Sequence, residues 1–313
     1  MKILDTVLPI LLIVLIGYLA ANRQQLSESG CDAIAKFVFS YAIPALLFIG
    51  TVHAEIPDNM QWEFLFSYYT VLLFIYMVSV WVAKFVFHYS AAEQSVFGMG
   101  AAYSNATIVG LPVCIYTLGE QAMLPLFIII SIHNLVLFTL GILLAERQQF
   151  ALSTLLKNII NVVKLLITSP ITASLILGGF INIFNIAIYP PIESAITLIS
   201  KSAIPTALFV LGTSLNKYQV QGHIAPALVI VVLKIIIFPL LVWLLVFHIF
   251  QISPLWASTA LLTSAMPVGI SAYIFSQKYQ VCTAPIATSI IISTVASIVT
   301  LSVVIAYVRA VNL

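Results

Sequence analysis

The sequence predicts an all-α polytopic membrane protein with ten transmembrane helices in two inverted five-helix repeats, and three observations lead there. Of the 313 residues, 62% are hydrophobic and only 7% are charged, which is too little charge to cover a soluble domain. Apolar windows long enough to span a bilayer recur along the whole chain. A pattern of prolines and glycines in the first half returns in the second half at a constant spacing.

Ten apolar windows, which we number as spans 1 to 10, are long enough to cross a bilayer as helices. Helices are favoured because each satisfies its own backbone in lipid, whereas a barrel would show short alternating strands. The windows fall at 3–21, 34–53, 64–88, 95–117, 121–145, 168–188, 193–214, 224–249, 255–276 and 284–308. Span 1 could also be a secretory signal peptide, because Lys2 precedes its apolar run.

A shift of 161 residues brings the prolines of the two halves into register, and this places span 1 inside the fold. The matched residues are Pro9 and Pro170, Gly17 and Gly178, and Ala42-Ile43-Pro44 and Ala203-Ile204-Pro205. Each half has five spans, an odd number, so the second half must be inverted in the membrane, as in many secondary transporters. We expect a first repeat at 1–145, a linker at 146–167 and an inverted second repeat at 168–313.

The distribution of positive residues predicts the orientation. Lysines and arginines gather in the loops after odd-numbered spans: Arg23, Lys36, Lys84, Arg147, Lys157, Lys164, Lys217 and Lys278. By the positive-inside rule these loops are cytoplasmic and both termini are extracytoplasmic. The linker is amphipathic, so we expect it to lie along the cytoplasmic surface of the membrane. The short linker favours a prokaryotic cytoplasmic (inner) membrane.

Spans 4 and 9 combine small polar residues with glycine and proline at mid-membrane. Proline removes a backbone donor and glycine lowers helix stability, so both spans are predicted to break and expose backbone groups to a solute. Simple proline kinks with close packing are the alternative. The candidate binding residues are Ser104, Asn105, Thr107, Gly110 and Pro112 in span 4, and Ser264, Met266, Pro267, Gly269 and Ser271 in span 9. Pro112 and Pro267 are 155 positions apart, so the register slips here.

Three further polar residues lie inside spans and are candidates for a coupling or charge role. Lys234 in span 8 must face protein or water, because a charge in lipid is costly. It could neutralise a bound carboxylate, or it could hold unwound carbonyls and helix C-terminal ends. His133 and Asn134 in span 5 are central and polar. Histidine can relay protons, and the alternative is an ordinary interhelical hydrogen bond.

Several motifs that other classes of protein require are absent from the sequence, and their absence disfavours those functions. No carboxylate pair lies at mid-membrane, which disfavours a cation antiporter with a central aspartate pair, whereas broken-helix N-termini suit an anion. No HExxH, GxSxG or P-loop motif is present, so we expect no enzyme and no catalytic residue. The cysteines Cys31, Cys114 and Cys282 have no metal-ligand spacing, so we expect neither a metal nor a cofactor. The positive charges are scattered, which disfavours nucleic acid as a partner.

Several motifs resemble the auxin efflux carrier family, in its short prokaryotic branch of malate and malonate permeases. They are Leu8-Pro9…Gly17-Tyr18, Ala42-Ile43-Pro44-Ala45-Leu46-Leu47-Phe48, Ser104-Asn105…Gly110-Leu111-Pro112 and Ala265-Met266-Pro267. The resemblance implies a fold similar to bile-acid sodium symporters, with spans 4 and 9 broken and crossing at the substrate site near Asn105, Pro112 and Pro267. It also implies elevator-like exchange between a scaffold and a moving part, and a homodimer. The long central loop of the plant members is absent here.

We therefore expect a secondary active transporter of a small organic anion, such as malate, malonate or an auxin-like acid. Its partners would be that anion, the lipid bilayer and a second copy of the chain. Coupling to H⁺ or Na⁺ is left open by the sequence. Two alternatives remain at this stage: a sodium-coupled symporter of the bile-acid carrier type, and a membrane ligand sensor that moves nothing.

Overall fold

The computed structural model describes residues 3–54, 61–147, 169–215 and 224–312, and within them the regular structure is helical. We number the helices in chain order. They are α1 Ile3–Asn22, α2 Glu28–Val52, α3 Trp62–Phe85, α4 Ala91–Ala102, α5 Ala106–Leu118, α6 Glu120–Ala145, α7 Pro170–Ile183, α8 Pro190–Leu215, α9 Ile224–Ile249, α10 Pro254–Ser264, α11 Ile270–Tyr279 and α12 Thr283–Asn312.

Six of these helices are long and apolar enough to cross a membrane, namely α2, α3, α6, α8, α9 and α12. The predicted all-helical membrane fold is confirmed at this level. Helices α5 and α7 are apolar but shorter. Most of the linker predicted at 146–167 lies outside the described residues, as do Lys157, Lys164 and Lys217.

Capping side chains fix where two of the helices begin. Ser27 accepts a hydrogen bond from the amide of Gly30, so α2 starts at Glu28, six residues before the predicted span. Ser90 and Glu93 form a reciprocal capping box at the start of α4. Both caps satisfy amides that a helix cannot pair within itself.

The helices group into two compact units that each draw on both halves of the sequence. Unit 1 contains residues 1–60, 107–131 and 165–217, and unit 2 contains residues 61–106, 132–164 and 218–313. The chain therefore passes between the units within the predicted span 4 and again within α6. Each unit is described separately below.

Unit 1 is built on very close helix contacts at glycine. A Cβ added to Gly17 of α1 would lie 2.1 Å from the carbonyl oxygen of Phe209 in α8. A Cβ added to Gly178 of α7 would lie 2.8 Å from the carbonyl oxygen of Phe48 in α2. Small residues let membrane helices approach closely enough for van der Waals attraction to hold them. The two contacts are equivalent under the 161-residue shift that relates the sequence halves, because Gly17 corresponds to Gly178 and Phe48 corresponds to Phe209.

Replacing Gly17 by alanine should destabilise the protein. The new methyl group would meet backbone that cannot rotate away, so we expect overpacking to lower the free energy of unfolding by about 1–3 kcal/mol. Thermal unfolding of the detergent-solubilised protein measures the effect. Gly179→Ala is the matched control, because a Cβ there meets only the Thr51 methyl at 3.8 Å. Equal melting temperatures for the two variants would contradict this account of the contact.

Candidate functional site

The helices of spans 4 and 9 are both interrupted, at corresponding places in the chain. Helix α4 ends at Ala102, and Tyr103 after it has an extended backbone with φ −78° and ψ 109°. Helix α10 ends at Ser264, 162 positions after Ala102, and α11 begins only at Ile270. Residues 103–105 and 265–269 therefore lie between helices in unit 2, and of these residues Tyr103 and Ala265 still donate their amides to the last turns of α4 and α10.

These two non-helical segments pair with one another through their backbones. The amide of Asn105 donates to the carbonyl of Pro267 at 3.0 Å, and the amide of Gly269 donates to the carbonyl of Tyr103 at 2.9 Å. Ser104 and Val268 thus face each other as an isolated antiparallel bridge. Proline has no N–H, but its carbonyl still accepts, so Pro267 both ends α10 and joins the bridge. We call residues 103–105 and 265–269 the paired breaks.

Two side chains accept hydrogen bonds from the backbone amides that do not take part in the bridge. The amide of Ser104 donates to Nε2 of His133 at 3.1 Å, and the amide of Val268 donates to Oγ of Ser293 at 3.0 Å. Ser104, His133 and Ser293 are all buried. A buried backbone amide without a partner is costly, so these contacts stabilise the non-helical course of the chain.

Lys234 forms a hydrogen bond with the backbone at the C-terminal end of α10. Its ammonium nitrogen donates to the carbonyl of Ser264 at 2.6 Å, and it lies 4.6 Å from the centroid of the Phe238 ring. The lysine side chain is fully buried. A cation at a helix C-terminus meets the negative end of the helix dipole. In this structure the lysine charge is thus directed at the backbone where α10 stops.

Tyr103 connects the two sides of the paired breaks. Its hydroxyl donates to Oδ1 of Asn134, and it also shares a hydrogen bond with Ser271 in the first turn of α11. Its ring meets the His133 ring edge-on, with centroids 4.9 Å apart. A Cβ added to Gly269 would lie 2.4 Å from the Tyr103 ring, so only glycine fits at that position.

Some polar groups at the paired breaks are not used by the protein. The side chain of Asn105, 5% exposed, makes no hydrogen bond with any described residue. The amides of Ile270 and Ser271, the first two of α11, likewise have no partner among the described residues. The N-terminal end of a helix carries a partial positive charge and is a natural place for an anion.

The structure gathers seven of the ten candidate binding residues in unit 2: Ser104, Asn105, Ser264, Met266, Pro267, Gly269 and Ser271. Thr107, Gly110 and Pro112 belong to unit 1 and lie on α5. Pro112 follows a π-helical turn at Ala106–Gly110, so the interruption of span 4 precedes this proline instead of occurring at it. This placement accounts for the slip in register between Pro112 and Pro267.

Sequence reasoning missed Tyr103, Ser293 and Tyr68, whose hydroxyl lies 3.4 Å from Oγ of Ser104. A signal existed for Ser293. Ser289, Ser293 and Ser297 recur every four residues along α12 and are all buried, so they form a polar stripe in an otherwise apolar helix. Polar residues in membrane helices usually face other helices, and that rule would have directed the stripe inward.

The three cysteines are buried or half-buried free thiols. Cys282 lies between α11 and α12, and burial together with the nearby charge of Glu93 raises the pKa of its thiol to about 12. A thiol that stays protonated is a poor nucleophile and a poor metal ligand.

Comparison with known proteins places the chain among transporters. A family model described as "Membrane transport protein" matches residues 2–305. A protein of Rhizobium meliloti (strain 1021) named "Putative malonate transporter" is 22% identical over 96% of this chain and 94% of its own length. "Uncharacterized transporter YfdV" of Escherichia coli (strain K12) is 25% identical over 94% of this chain and 93% of its own. An "Uncharacterized transporter" of Methanothermobacter thermautotrophicus is 22% identical over 95% of both.

Ser293→Ala should weaken the paired breaks. The buried amide of Val268 would lose its acceptor, and we expect the free energy of unfolding to fall by about 1–3 kcal/mol. Thermal or denaturant unfolding of the purified protein measures the change. Ser302→Ala is the control on the same helix, because its hydroxyl bonds only to the carbonyl of Ile298 one turn earlier. A Ser293 variant as stable as the Ser302 variant would refute the bracing role.

Proposed function

The chain belongs to the membrane transport protein family, the family of the auxin efflux carriers, and on that premise we propose that it is a secondary active transporter of a small organic anion. The observation that carries the proposal is the pair of interrupted helices in unit 2. Unwound backbone at membrane depth is tolerated where it lines a binding site, and broken helices form the substrate sites of many carriers.

The electrostatics of the paired breaks favour an anionic substrate. The amides of Ile270 and Ser271, which no described residue accepts, lie at the positive end of α11. His133, Asn134, Lys234 and Ser293 are side chains that hydrogen bond to the breaks, and none of them is a carboxylate. We propose a carboxylate as the bound group and malonate as the first substrate to test, because the relative from Rhizobium meliloti carries that word in its name.

Asn105 is the side chain we propose to orient the anion. Its backbone is fixed by Pro267, while its carboxamide is unused within the described residues. A fixed backbone with a free amide can donate two hydrogen bonds to carboxylate oxygens. Gly269 would admit the Tyr103 ring beside the start of α11. Ser264, Met266 and Ser271 would complete the surroundings of the bound group.

We propose elevator-type alternating access around crossing spans 4 and 9 as the mechanism, with unit 2 carrying the anion. The inverted repeat needed for it finds support in unit 1, where the Gly17–Phe209 and Gly178–Phe48 contacts are related by the repeat shift. Two similar halves in opposite orientations give two similar conformations that open to opposite sides. We further propose the cytoplasmic membrane, extracytoplasmic termini and a homodimer.

Asn105→Asp should abolish transport while leaving a folded protein. The substitution keeps the shape of the side chain but adds a negative charge where the substrate carboxylate would lie, and like charges repel strongly at a buried site. Malonate counterflow in proteoliposomes is the measurement, and a receptor that binds without transport gives no counterflow at all.

Asn22→Asp is the control for this experiment, because Asn22 is exposed at the end of α1 and the charge change is the same. We expect wild-type counterflow from it and none from Asn105→Asp. Wild-type transport by the Asn105 variant would eliminate the proposed role of this residue. Absence of counterflow in the wild-type protein with every small carboxylate would overturn the transporter proposal itself.

Transport should not require sodium. A sodium site needs several oxygen ligands, and at the end of α10 the carbonyl of Ser264 is already taken by the ammonium of Lys234. We expect uptake into proteoliposomes to proceed equally in sodium, potassium and choline media. Uptake that appears only with sodium would instead favour a symporter of the bile-acid carrier type.

A further inference from the structure

The hydrogen bond between Ser104 and His133 determines which nitrogen of the imidazole carries a proton. The amide of Ser104 can only donate, and it points at Nε2 of His133 from 3.1 Å. A nitrogen that accepts must present a lone pair, so Nε2 is unprotonated. A neutral imidazole has one N–H, and it is therefore on Nδ1.

The Nδ1–H of His133 is a buried donor that has no acceptor in the part of the chain that the structure describes. The residue is 2% exposed, and Nδ1 has no hydrogen-bond partner among the described residues. Leaving a donor buried and unpaired costs more free energy than an ordinary hydrogen bond contributes. Buried groups of this kind call for an explanation.

The surroundings of the ring connect this donor to the paired breaks. Tyr103 meets His133 edge-on, and the carbonyl of the same tyrosine accepts from Gly269, which immediately precedes α11. The ring of Tyr68 lies 6.1 Å away on the side of α3. Tyr103 thus contacts His133, whose Nδ1–H has no acceptor among the described residues. It also contacts Ser271 at the start of α11, and Gly269, which directly precedes Ile270.

A second proton on His133 would conflict with this arrangement. Protonated Nε2 would be a donor facing the Ser104 amide, which is also a donor, and the contact would break. The cationic side chain of Lys234 on α9 also interacts unfavourably with a positive charge on this ring. Tyr68 on α3 and Tyr103 in the paired breaks flank the ring and carry no charge when protonated.

We infer that His133 is a substrate-binding residue that acts as a fixed neutral donor, its Nδ1–H meeting an oxygen of the bound carboxylate. This inference rests on the proposed function and makes it more specific. His133 has two separable tasks. Nε2 accepts the hydrogen bond from the Ser104 amide and so stabilises the non-helical backbone there, and Nδ1–H donates to the anion when it binds. It is not the residue that carries a coupled proton.

Two amide variants separate these tasks. In His133→Gln the side-chain oxygen can replace Nε2 as the acceptor for Ser104, while no donor remains at the position of Nδ1. In His133→Asn the side-chain NH₂ replaces the Nδ1 donor, while the acceptor for Ser104 is lost. For each purified variant and the wild type, we would measure the melting temperature without ligand and the Kd for malonate by calorimetry.

We expect His133→Gln to melt near the wild-type temperature and to bind malonate about ten- to a hundredfold more weakly, the usual loss for a hydrogen bond to a charged group. We expect His133→Asn to melt at a lower temperature and to bind within about threefold of the wild type. If His133→Gln is itself destabilised, the Asn variant decides, because it keeps the proposed donor.

Wild-type affinity in His133→Gln would overturn the inference, and so would a large loss of affinity in folded His133→Asn. Either result would leave the transporter proposal standing as long as the wild-type protein binds. If the wild type itself binds neither malonate nor the related carboxylates acetate and succinate, the proposed function fails, and the inference about His133 fails with it.

Discussion

The requirement that every backbone group inside a membrane be hydrogen bonded governs the centre of unit 2. A single broken helix would leave several amides and carbonyls without partners in a medium that offers none. Here two breaks meet, so the carbonyl of Pro267 and the amide of Asn105 satisfy each other, as do Tyr103 and Gly269. Each interruption is stable because the other exists, which explains why two such motifs occur in the chain.

The remaining polar residues of unit 2 complete this arrangement. His133 and Ser293 accept hydrogen bonds from the amides of Ser104 and Val268, which face away from the bridge. Lys234 donates to the carbonyl of Ser264 at the end of α10. A solute can bind only through groups that this pairing leaves over. Among the described residues the donors left over are the amides of Ile270 and Ser271 and the side chain of Asn105, and these are the groups that we propose bind a carboxylate. The hydrogen bonds that stabilise the paired breaks thus also determine which groups remain to bind a solute.

The helical fold, the two interruptions and most of the residues that lie at the paired breaks could be predicted from sequence, because long apolar runs and glycine and proline within them are local signals. The partners of the breaks could not be. Ser293 and Tyr68 are far from the breaks in sequence, and a hydroxyl in a helix does not reveal which distant amide it will accept. Pro112 was expected at the interruption, but it lies within α5, after the π-helical turn at Ala106–Gly110. There it is in the first turn of the α-helical segment Leu111–Leu118, where proline is well tolerated.

Hydrogen–deuterium exchange with and without malonate tests most directly whether the paired breaks bind the anion. The amides of Ile270 and Ser271 have no acceptor within the described ranges, so they should exchange quickly in the free protein and slow down when a carboxylate binds to them. Peptides covering the start of α7 provide the control, because its first amides also lack a side-chain cap but lie in unit 1. Slowing at the start of α11 and not at α7 is the predicted result. Malonate protection confined to other segments, or equal at both helix starts, would contradict the account.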